Sequence, residues 1–318
     1  MSKKFLSFFF FLSFFSNLFA QVASIRLGVL KGLSCTPSAY LIENKAKLSL
    51  QNMAFKLFDS EQSELPALLK GEIDAGFLSP ESAAEVFLKG NKALVCIGSV
   101  QNGNLFLLTN EESYESLEDL KAQKILCAPE SSSSKILSYL LSKKEIKTAS
   151  LSRGEGELPS DSVGLDFSLP AASIANALIN KNAAYALLSE PYATVAVKNS
   201  SEIRRAENLQ KLYNEAEEWS SFSSMLLLVR ADFAKEKRDL VKKFMDLYKN
   251  AVNWTNRNPS KAAFLSEKHR LYHSPAILRD SIPHAALIWR EAGTARPDIE
   301  KYLTVLGIEI PGEEFYKF

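Results

Sequence analysis

The chain has 318 residues, of which 46% are hydrophobic and 24% are charged, and its formal net charge is +1. This length suits about two domains of roughly 150 residues, and a core of that size needs no disulfides or metals. The balanced charge creates no field that would attract nucleic acid or a membrane surface, so we expect neither kind of binding.

The N-terminus carries the strongest local signal. The basic start MSKK precedes the apolar run FLSFFFFLSFFSNLF, and small residues at Ala20 and Ala23 offer cleavage positions. This pattern predicts that residues 1–23 are a secretory signal peptide and that the mature protein is periplasmic. An uncleaved membrane anchor is the alternative, but the run is shorter than the roughly 20 residues that a span needs. In an exported protein, three cysteines allow at most one disulfide, so we expect mainly buried thiols.

Residues 24–103 alternate between strand-like and helix-like segments, which is typical of an α/β sheet. Thr36 and Pro37 suit the start of the first helix, because proline is favoured at the first helical position. We predict that this stretch forms the first part of lobe one. Its predicted strands are 24–30, 54–60, 73–79 and 93–101, and its predicted helices are 38–46, 61–71 and 80–90.

The alternation starts again after residue 110, which predicts a second lobe over residues 104–205 that includes a hinge strand. Its predicted strands are 104–110, 124–129 and 163–168, its helices are 131–144 and 169–181, and 147–162 is expected to be irregular. Residues 206–318 are predicted to return to lobe one. They contain a strand at 221–230 and helices at 231–258, 260–270, 274–293 and 296–307.

One helix–turn–strand–serine–helix unit occurs twice, at residues 67–86 and 177–196. With an offset of 110 residues, the two copies match at Ala67 and Ala177, Leu68 and Leu178, Leu78 and Leu188, Ser79 and Ser189, and Ala83 and Ala193. Open α/β sheets bind ligands beyond the carboxyl ends of their strands, where helix N-termini present unpaired N–H groups. If the two lobes face each other, Ser79 and Ser189 therefore line one cleft.

Several short motifs follow one another along the chain. They are Gly71-Glu-Ile-Asp-Ala-Gly, Ser116-Leu-Glu-Asp-Leu-Lys, LLSEPYAT at 187–194, LLLVRADF at 226–233 and NWTNRNPSKAA at 253–263. In order and spacing they resemble elements of the periplasmic solute-binding proteins of ABC importers, in the nitrate/sulfonate/taurine and thiamine-precursor branch. The resemblance covers residues 25–265.

The resemblance implies an α/β class, the type II periplasmic binding protein fold, with two α/β lobes around a ligand cleft. It implies a monomer that uses no cofactor, binds no nucleic acid, and delivers a small solute to the permease of an ABC importer. The solute would be of the aliphatic sulfonate, nitrate or thiamine-precursor type.

No G-x-S-x-G, P-loop or catalytic Cys/His pair is present, so we expect no enzymatic activity. A periplasmic enzyme on the same fold is the alternative, and a surface adhesin would need exposed repeats or a cell-wall anchor.

The predicted ligand contacts lie in loops that join strands to helices. In lobe one they are Ser34, Cys35, Thr36, Ser79, Pro80 and Glu81, and in lobe two they are Ser131, Ser132, Ser133, Ser168, Ala171 and Glu190. Each loop has a structural alternative: the hydroxyls and carboxylates can cap helices, and the serine run can be a polar loop. No metal is predicted, because His269 and His273 have zinc-binding spacing without an adjacent glutamate.

Overall fold

The computed structural model describes residues 24–49, 52–89, 92–129, 132–151 and 158–318. The predicted leader and Ser131 lie outside these ranges. In the part of the chain that the structure describes, no helix has the length and apolar character needed to cross a membrane. The cysteines at 35, 96 and 127 are free and buried, which agrees with the expectation of buried thiols.

The strands form two separate six-stranded sheets. In chain order they are β1 Arg26–Leu30, β2 Ala54–Phe58, β3 Ala75–Leu78, β4 Leu94–Asn102, β5 Leu105–Thr109, β6 Lys124–Leu126, β7 Lys147–Leu151, β8 Ser162–Asp166, β9 Tyr185–Ser189, β10 Arg204–Asn208, β11 Ser223–Arg230 and β12 Leu287–Glu291. The sheet of lobe one has the order β12-β4-β11-β3-β1-β2, and that of lobe two has the order β10-β5-β9-β6-β8-β7. The predicted fold class of two α/β lobes is therefore confirmed.

Helices cover the sheets and close separate hydrophobic cores. They are α1 Pro37–Glu43, α2 Glu61–Leu69, α3 Pro80–Leu88, α4 Ser132–Ser142, α5 Ala171–Ile179, α6 Tyr192–Asn199, α7 Leu209–Ala216, α8 Ala231–Glu236, α9 Arg238–Arg257, α10 Pro259–Lys268, α11 Pro275–Ser281 and α12 Ala292–Val305. In α9, buried residues recur every three or four positions, which is the period of a helix face packed on a core.

The repeated unit has the predicted form in both lobes. The strand–helix pair is β3–α3 in the first copy and β9–α6 in the second. Gly71 ends the first helix of its copy with a left-handed φ of +72°, and Lys181 takes the corresponding position with a φ of +59°. The second copy therefore keeps the turn after it has lost the glycine, at the cost of a strained non-glycine backbone.

The chain crosses between the lobes at Gly103 and again near Phe222. The Gly103 N–H donates to the Phe222 carbonyl at 2.9 Å, which fastens the two crossings together. A Cβ atom on Gly103 would lie 1.9 Å from the Phe222 ring, so this crossing requires glycine. A third connection is α12, because Ile299 and Leu303 pack in the core of lobe one while Tyr302 and Leu306 pack in that of lobe two.

Three parts of the sequence interpretation differ from the structure. The stretch 147–162, which was expected to be irregular, contains β7. The helix predicted over 274–293 ends at Ser281, and the later part of that range forms β12, which pairs with β4. The segments β10 and α7 had no prediction of their own. β10 pairs with β5, and Leu209 and Tyr213 of α7 pack in the core of lobe two. The division into lobes stays a prediction, and these contacts favour a return to lobe one near residue 222 instead of 206.

Candidate ligand-binding cleft

The strand order brings the loops of both repeat copies to the middle of the molecule. In lobe one β1 pairs in parallel with β3, and in lobe two β6 pairs in parallel with β9. Because parallel strands end at the same edge of a sheet, the loops after β1 and β3 are neighbours, as are those after β6 and β9. Contacts between the two sets of loops define a cleft between the lobes.

A cavity of about 450 Å³ lies between the lobes. It is lined by the loop after β1, the start of α6 and the loop between α10 and α11, through Lys31, Gly32, Leu33, Pro191, Tyr192, Val195, Leu271, Tyr272, His273 and Ser274. Most of these residues present carbon to the cavity, and the hydroxyls and charged groups are few. Such a concave, mainly apolar wall with a few polar groups is typical of small-molecule sites.

At the start of α3, after the strand that neighbours β1, the carboxylate of Glu81 crosses from lobe one to lobe two. Its Oε1 accepts a short hydrogen bond from the Ser132 hydroxyl at the start of α4, and a second one from the Tyr302 hydroxyl at 2.8 Å. Tyr302 is held in place by stacking on Phe222, with ring centroids 5.6 Å apart. Burial and the nearby Glu81 carboxylate raise the pKa of Tyr302 well above its usual value, so its hydroxyl stays a donor.

The lobes also meet between α6 and α11. Lys198 of α6 forms an ion pair with Asp280 of α11. The His284 ring of lobe one packs edge-on against Phe106 of lobe two, at 6.2 Å between centroids. Burial and the Arg205 guanidinium lower the pKa of His284, which favours its neutral form. The lobes are thus joined by a second polar contact, besides that of Glu81, and by an aromatic one.

Glu190 lies close to the cleft but is occupied within lobe two. Its side chain is fully buried; Oε1 accepts from Arg205 Nε at 3.1 Å, and Oε2 accepts from the Thr194 N–H of α6 at 3.1 Å. Arg205 also donates to the Thr194 hydroxyl at 2.7 Å. These contacts satisfy the carboxylate internally, so they favour the capping alternative for Glu190 over a ligand contact.

Ser79 caps α3. Its hydroxyl accepts from the Ser82 N–H at 3.3 Å, and both its hydroxyl and its N–H donate to the Glu61 carboxylate. Pro80 is buried at the first position of that helix. This geometry favours the structural alternative for Ser79 and Pro80, whose ligand contacts stay a prediction, whereas Glu81 lies at the cleft.

The loop after β1 is only partly the predicted binding loop. The Ser34 hydroxyl is half-buried and donates to Gln101 Oε1 at 2.7 Å. The side chains of Cys35 and Thr36 are fully buried, which favours the structural alternative for them, and their role as ligand contacts stays a prediction. Burial raises the pKa of the Cys35 thiol well above its usual value. Thr36 precedes α1 without a side-chain capping bond, and its buried hydroxyl has no hydrogen-bond partner within the described residues.

The remaining lobe-two predictions are spread along the rim. Ser133 is half-buried in the first turn of α4, and Ala171 is half-buried at the start of α5. Ser168 is exposed, and its N–H donates to its neighbour Asp166. Among these residues, only Ser132 is seen in contact with lobe one. His269 follows the end of α10 and contacts Glu43, so it does not share a helix face with His273.

Sequence reasoning missed the residues that form the walls of the cleft. Tyr192 lies within the LLSEPYAT motif, one position past the proline, and that position could have indicated it. Tyr272 and Tyr302 carry no such signal, because they lie in the C-terminal region that was expected to be simple helical packing. Burial raises the pKa of Tyr272, which keeps its hydroxyl protonated beside the cavity.

Neither a family model nor a curated protein matches the sequence. Solved structures match over nearly the whole chain at low identity. A crystal structure of an ABC transporter from Parabacteroides distasonis has 17% identity and a TM-score of 0.73, covering 93% of this chain and 99% of that chain.

Two sulfonate-binding proteins have similar folds. The periplasmic aliphatic sulphonate binding protein SsuA from Escherichia coli has 15% identity and a TM-score of 0.68, covering 93% of this chain and 92% of that one. The alkanesulfonate-binding protein SsuA from Xanthomonas axonopodis pv. citri, bound to MOPS, has 16% identity and a TM-score of 0.61, with coverages of 92% and 96%. At the level of the fold, these likenesses confirm the resemblance seen in the motifs: this chain has the fold of periplasmic solute-binding proteins.

Proposed function

We propose that the protein is the substrate-binding component of an ABC importer and that it captures a small solute between its two lobes. The observation that carries this proposal is the cavity of about 450 Å³, because both lobes contribute to its wall. A solute in this position is enclosed when the lobes close, and closure removes water and completes its hydrogen bonds. Binding of this kind involves no chemical conversion, so the protein is not an enzyme.

The proposal includes delivery and location. The apolar N-terminal run supports export through a signal peptide over residues 1–23. A closed, solute-loaded monomer would then present the outer faces of both lobes to a membrane permease. The sulfonate-binding neighbours support an aliphatic sulfonate as one candidate solute, and nitrate and a thiamine-type precursor are the others. The cavity favours a solute with an organic body over nitrate, since most of its lining is apolar.

The first experiment asks what the cavity holds. Protein purified from its native host, or exposed to host extract, is denatured and the released small molecules are identified by mass spectrometry. We expect one compound to be enriched in the wild type and lost from Val195→Trp, whose indole would fill the cavity. The control, Val195→Ala, leaves the cavity open and should retain the compound.

The second experiment tests closure and activity with the compound found. Small-angle scattering should show a smaller radius of gyration with the compound than without it, because the solute bridges the lobes. Calorimetry should give one site per chain, and the compound should be recovered unchanged after incubation. An unchanged radius of gyration would count against capture by closure, and a converted compound would favour the periplasmic enzyme.

A further inference from the structure

Glu81 is the acidic group that reaches across the cleft. It lies in the first turn of α3, and its Oε1 is contacted by Ser132 of α4 and Tyr302 of α12. Both partners are hydroxyl donors that carry no charge. Across the described ranges, no lysine, arginine or histidine lies within ion-pair distance of Glu81, whereas Asp280 and Glu190 each have such a partner.

Two further features make the lack of a counter-charge informative. Glu81 is partly withdrawn from water, and a carboxylate in that setting is stabilised by a nearby positive charge or by additional donors. The contacts seen with hydroxyls both involve Oε1, which leaves Oε2 without a described partner. The carboxylate can therefore accept further hydrogen bonds without breaking the present ones.

The cavity lies beside this carboxylate. Its wall includes the loop after β1 and the start of α6, which follows β9, whereas Glu81 and Ser132 follow β3 and β6. Because β1 neighbours β3 and β6 neighbours β9, the cavity and the Glu81 contact occupy adjacent positions along one cleft. A solute with its body in the cavity can therefore extend a polar group along the cleft toward Glu81.

Three basic groups of the cleft region are already paired: Lys31 forms an ion pair with Asp59, Arg205 with Glu190, and Lys198 with Asp280. Glu81 has no basic partner among the described residues, and neither has Glu61, which accepts from Ser79 at the end of β3. The loop after β3 is therefore acidic without a counter-charge in the described residues. An anion entering beside Glu81 would be repelled, and a cation would be attracted.

We propose that Glu81 is a specificity-determining residue, which selects solutes that carry a positive charge or N–H donors and, among the candidate solutes named above, disfavours the anionic sulfonate and nitrate. The inference rests on the proposed function, because it assumes that the solute binds in this cleft. The start of α4 is a suitable place for an anion, and in this protein it faces the Glu81 carboxylate. Specificity of this kind combines attraction for one class with repulsion of another.

The test compares the affinities of three proteins for anionic and cationic ligands. Wild type, Glu81→Gln and the control Glu85→Gln are titrated by calorimetry with butanesulfonate and ethanesulfonate, and with butylammonium and benzamidine. Glu85 lies one turn along α3 and is exposed, so its replacement makes the same change in net charge away from the cleft. Glutamine keeps the Oε1 acceptor for Ser132 and Tyr302.

We expect Glu81→Gln to bind at least one sulfonate tenfold or more tightly than the wild type, and to bind the cations tenfold or more weakly. Glu85→Gln should match the wild type. Unchanged or weaker sulfonate binding by Glu81→Gln overturns the inference, and so does the absence of sulfonate binding by all three proteins. The compound recovered from the wild type gives a separate answer: an anion without N–H donors would refute the role of Glu81 while supporting solute capture, and the lack of any compound or closure would refute the capture itself.

Discussion

In the first copy of the repeated unit Glu81 crosses to the opposite lobe, whereas in the second copy Glu190 stays within its own. The sequences differ in order: Ser79-Pro80-Glu81 follows β3, and Ser189-Glu190-Pro191 follows β9. In the first copy a serine hydroxyl caps the helix, so the glutamate is free to point into the cleft. In the second the glutamate takes over the cap by accepting the Thr194 N–H, and Arg205 compensates its charge.

Glutamates at matching strand ends thus have two different roles. Glu190 stabilises lobe two, where Arg205 compensates its negative charge. Glu81 contributes a hydrogen-bond bridge between lobes and retains a capacity for further partners. A change at Glu190 should therefore alter folding, and a change at Glu81 should alter binding.

Glu190→Ala should produce the largest loss of stability. It leaves Arg205 without its carboxylate and removes the acceptor of the Thr194 N–H, and breaking a buried ion pair in this way typically costs about 3–5 kcal/mol. Urea unfolding followed by circular dichroism measures the loss. Glu190→Gln is the control, since the amide oxygen can keep the cap. If both variants unfold like the wild type, the internal role of Glu190 is wrong.

A third carboxylate, Glu64, should make stability depend on pH. It is fully buried in lobe one between Gly28 and Gly76, where it accepts the Phe77 N–H at 3.1 Å and has no cationic partner among the described residues. Burial raises the pKa of Glu64 from 4.5 to about 8. The folded chain thus keeps a proton that the unfolded chain releases, so stability falls as the pH rises from 4.5 to 8.

Between pH 6 and pH 8 the free energy of unfolding of the wild type should fall by about 2 kcal/mol. The slope is about 1.4 kcal/mol per pH unit while Glu64 is protonated in the folded chain and ionised in the unfolded chain. Urea unfolding at several pH values measures it. Glu64→Gln cannot titrate, so its stability should vary less over the same window. Parallel pH profiles for the two proteins would contradict the protonated state of Glu64.

Ser79→Ala should have a smaller effect, a loss of about 1 kcal/mol, because it removes the α3 cap and a bond to Glu61. The thermal midpoint should fall while affinity for the captured solute stays within twofold. Ser168→Ala is an exposed control that should change neither. A large loss of affinity with normal stability would indicate instead that Ser79 contacts the solute.

Glu81→Gln should have the smallest effect on folding, within about 0.5 kcal/mol, because a partly exposed carboxylate with neutral partners contributes little net stability. Thermal unfolding of this variant beside Glu190→Gln makes the comparison direct. A fall in stability of several kcal/mol at Glu81 would mean that its bridge is structural, and the contrast between the two copies would disappear.

The two-lobe fold could be predicted because its signals are local. The apolar segments that form β3 and β9 are short, end in a serine, and are followed at once by helices, so pattern and turn chemistry agree. β12 could not be identified in the same way. Pro283 marks the end of the preceding helix, but no turn residue announces a strand at Leu287–Glu291, which forms because the edge of β4 is available to pair with it.

The sequence indicates which loops lie at the candidate cleft better than it indicates the contacts of individual side chains. The loops after strands lead to the cleft, as the general rule for open α/β sheets requires. The partners of each side chain depend on tertiary packing: Glu81 meets Ser132 and Tyr302, which are 51 and 221 positions away in the chain. Cys35 and Thr36 have the polarity of binding residues, but the loop turns their side chains into the core, a direction that residue type does not reveal.

The helix α12 has a mechanical consequence for opening. Since Ile299 and Leu303 are anchored in one core and Tyr302 and Leu306 in the other, separating the lobes along this helix would expose apolar surface on both sides. The contact between α6 and α11 depends on an ion pair of two partly exposed groups, Lys198 and Asp280, which water can replace at little cost. The lobes should therefore rotate relative to each other about α12 and separate first between α6 and α11. A solute should enter and leave there, beside Tyr192.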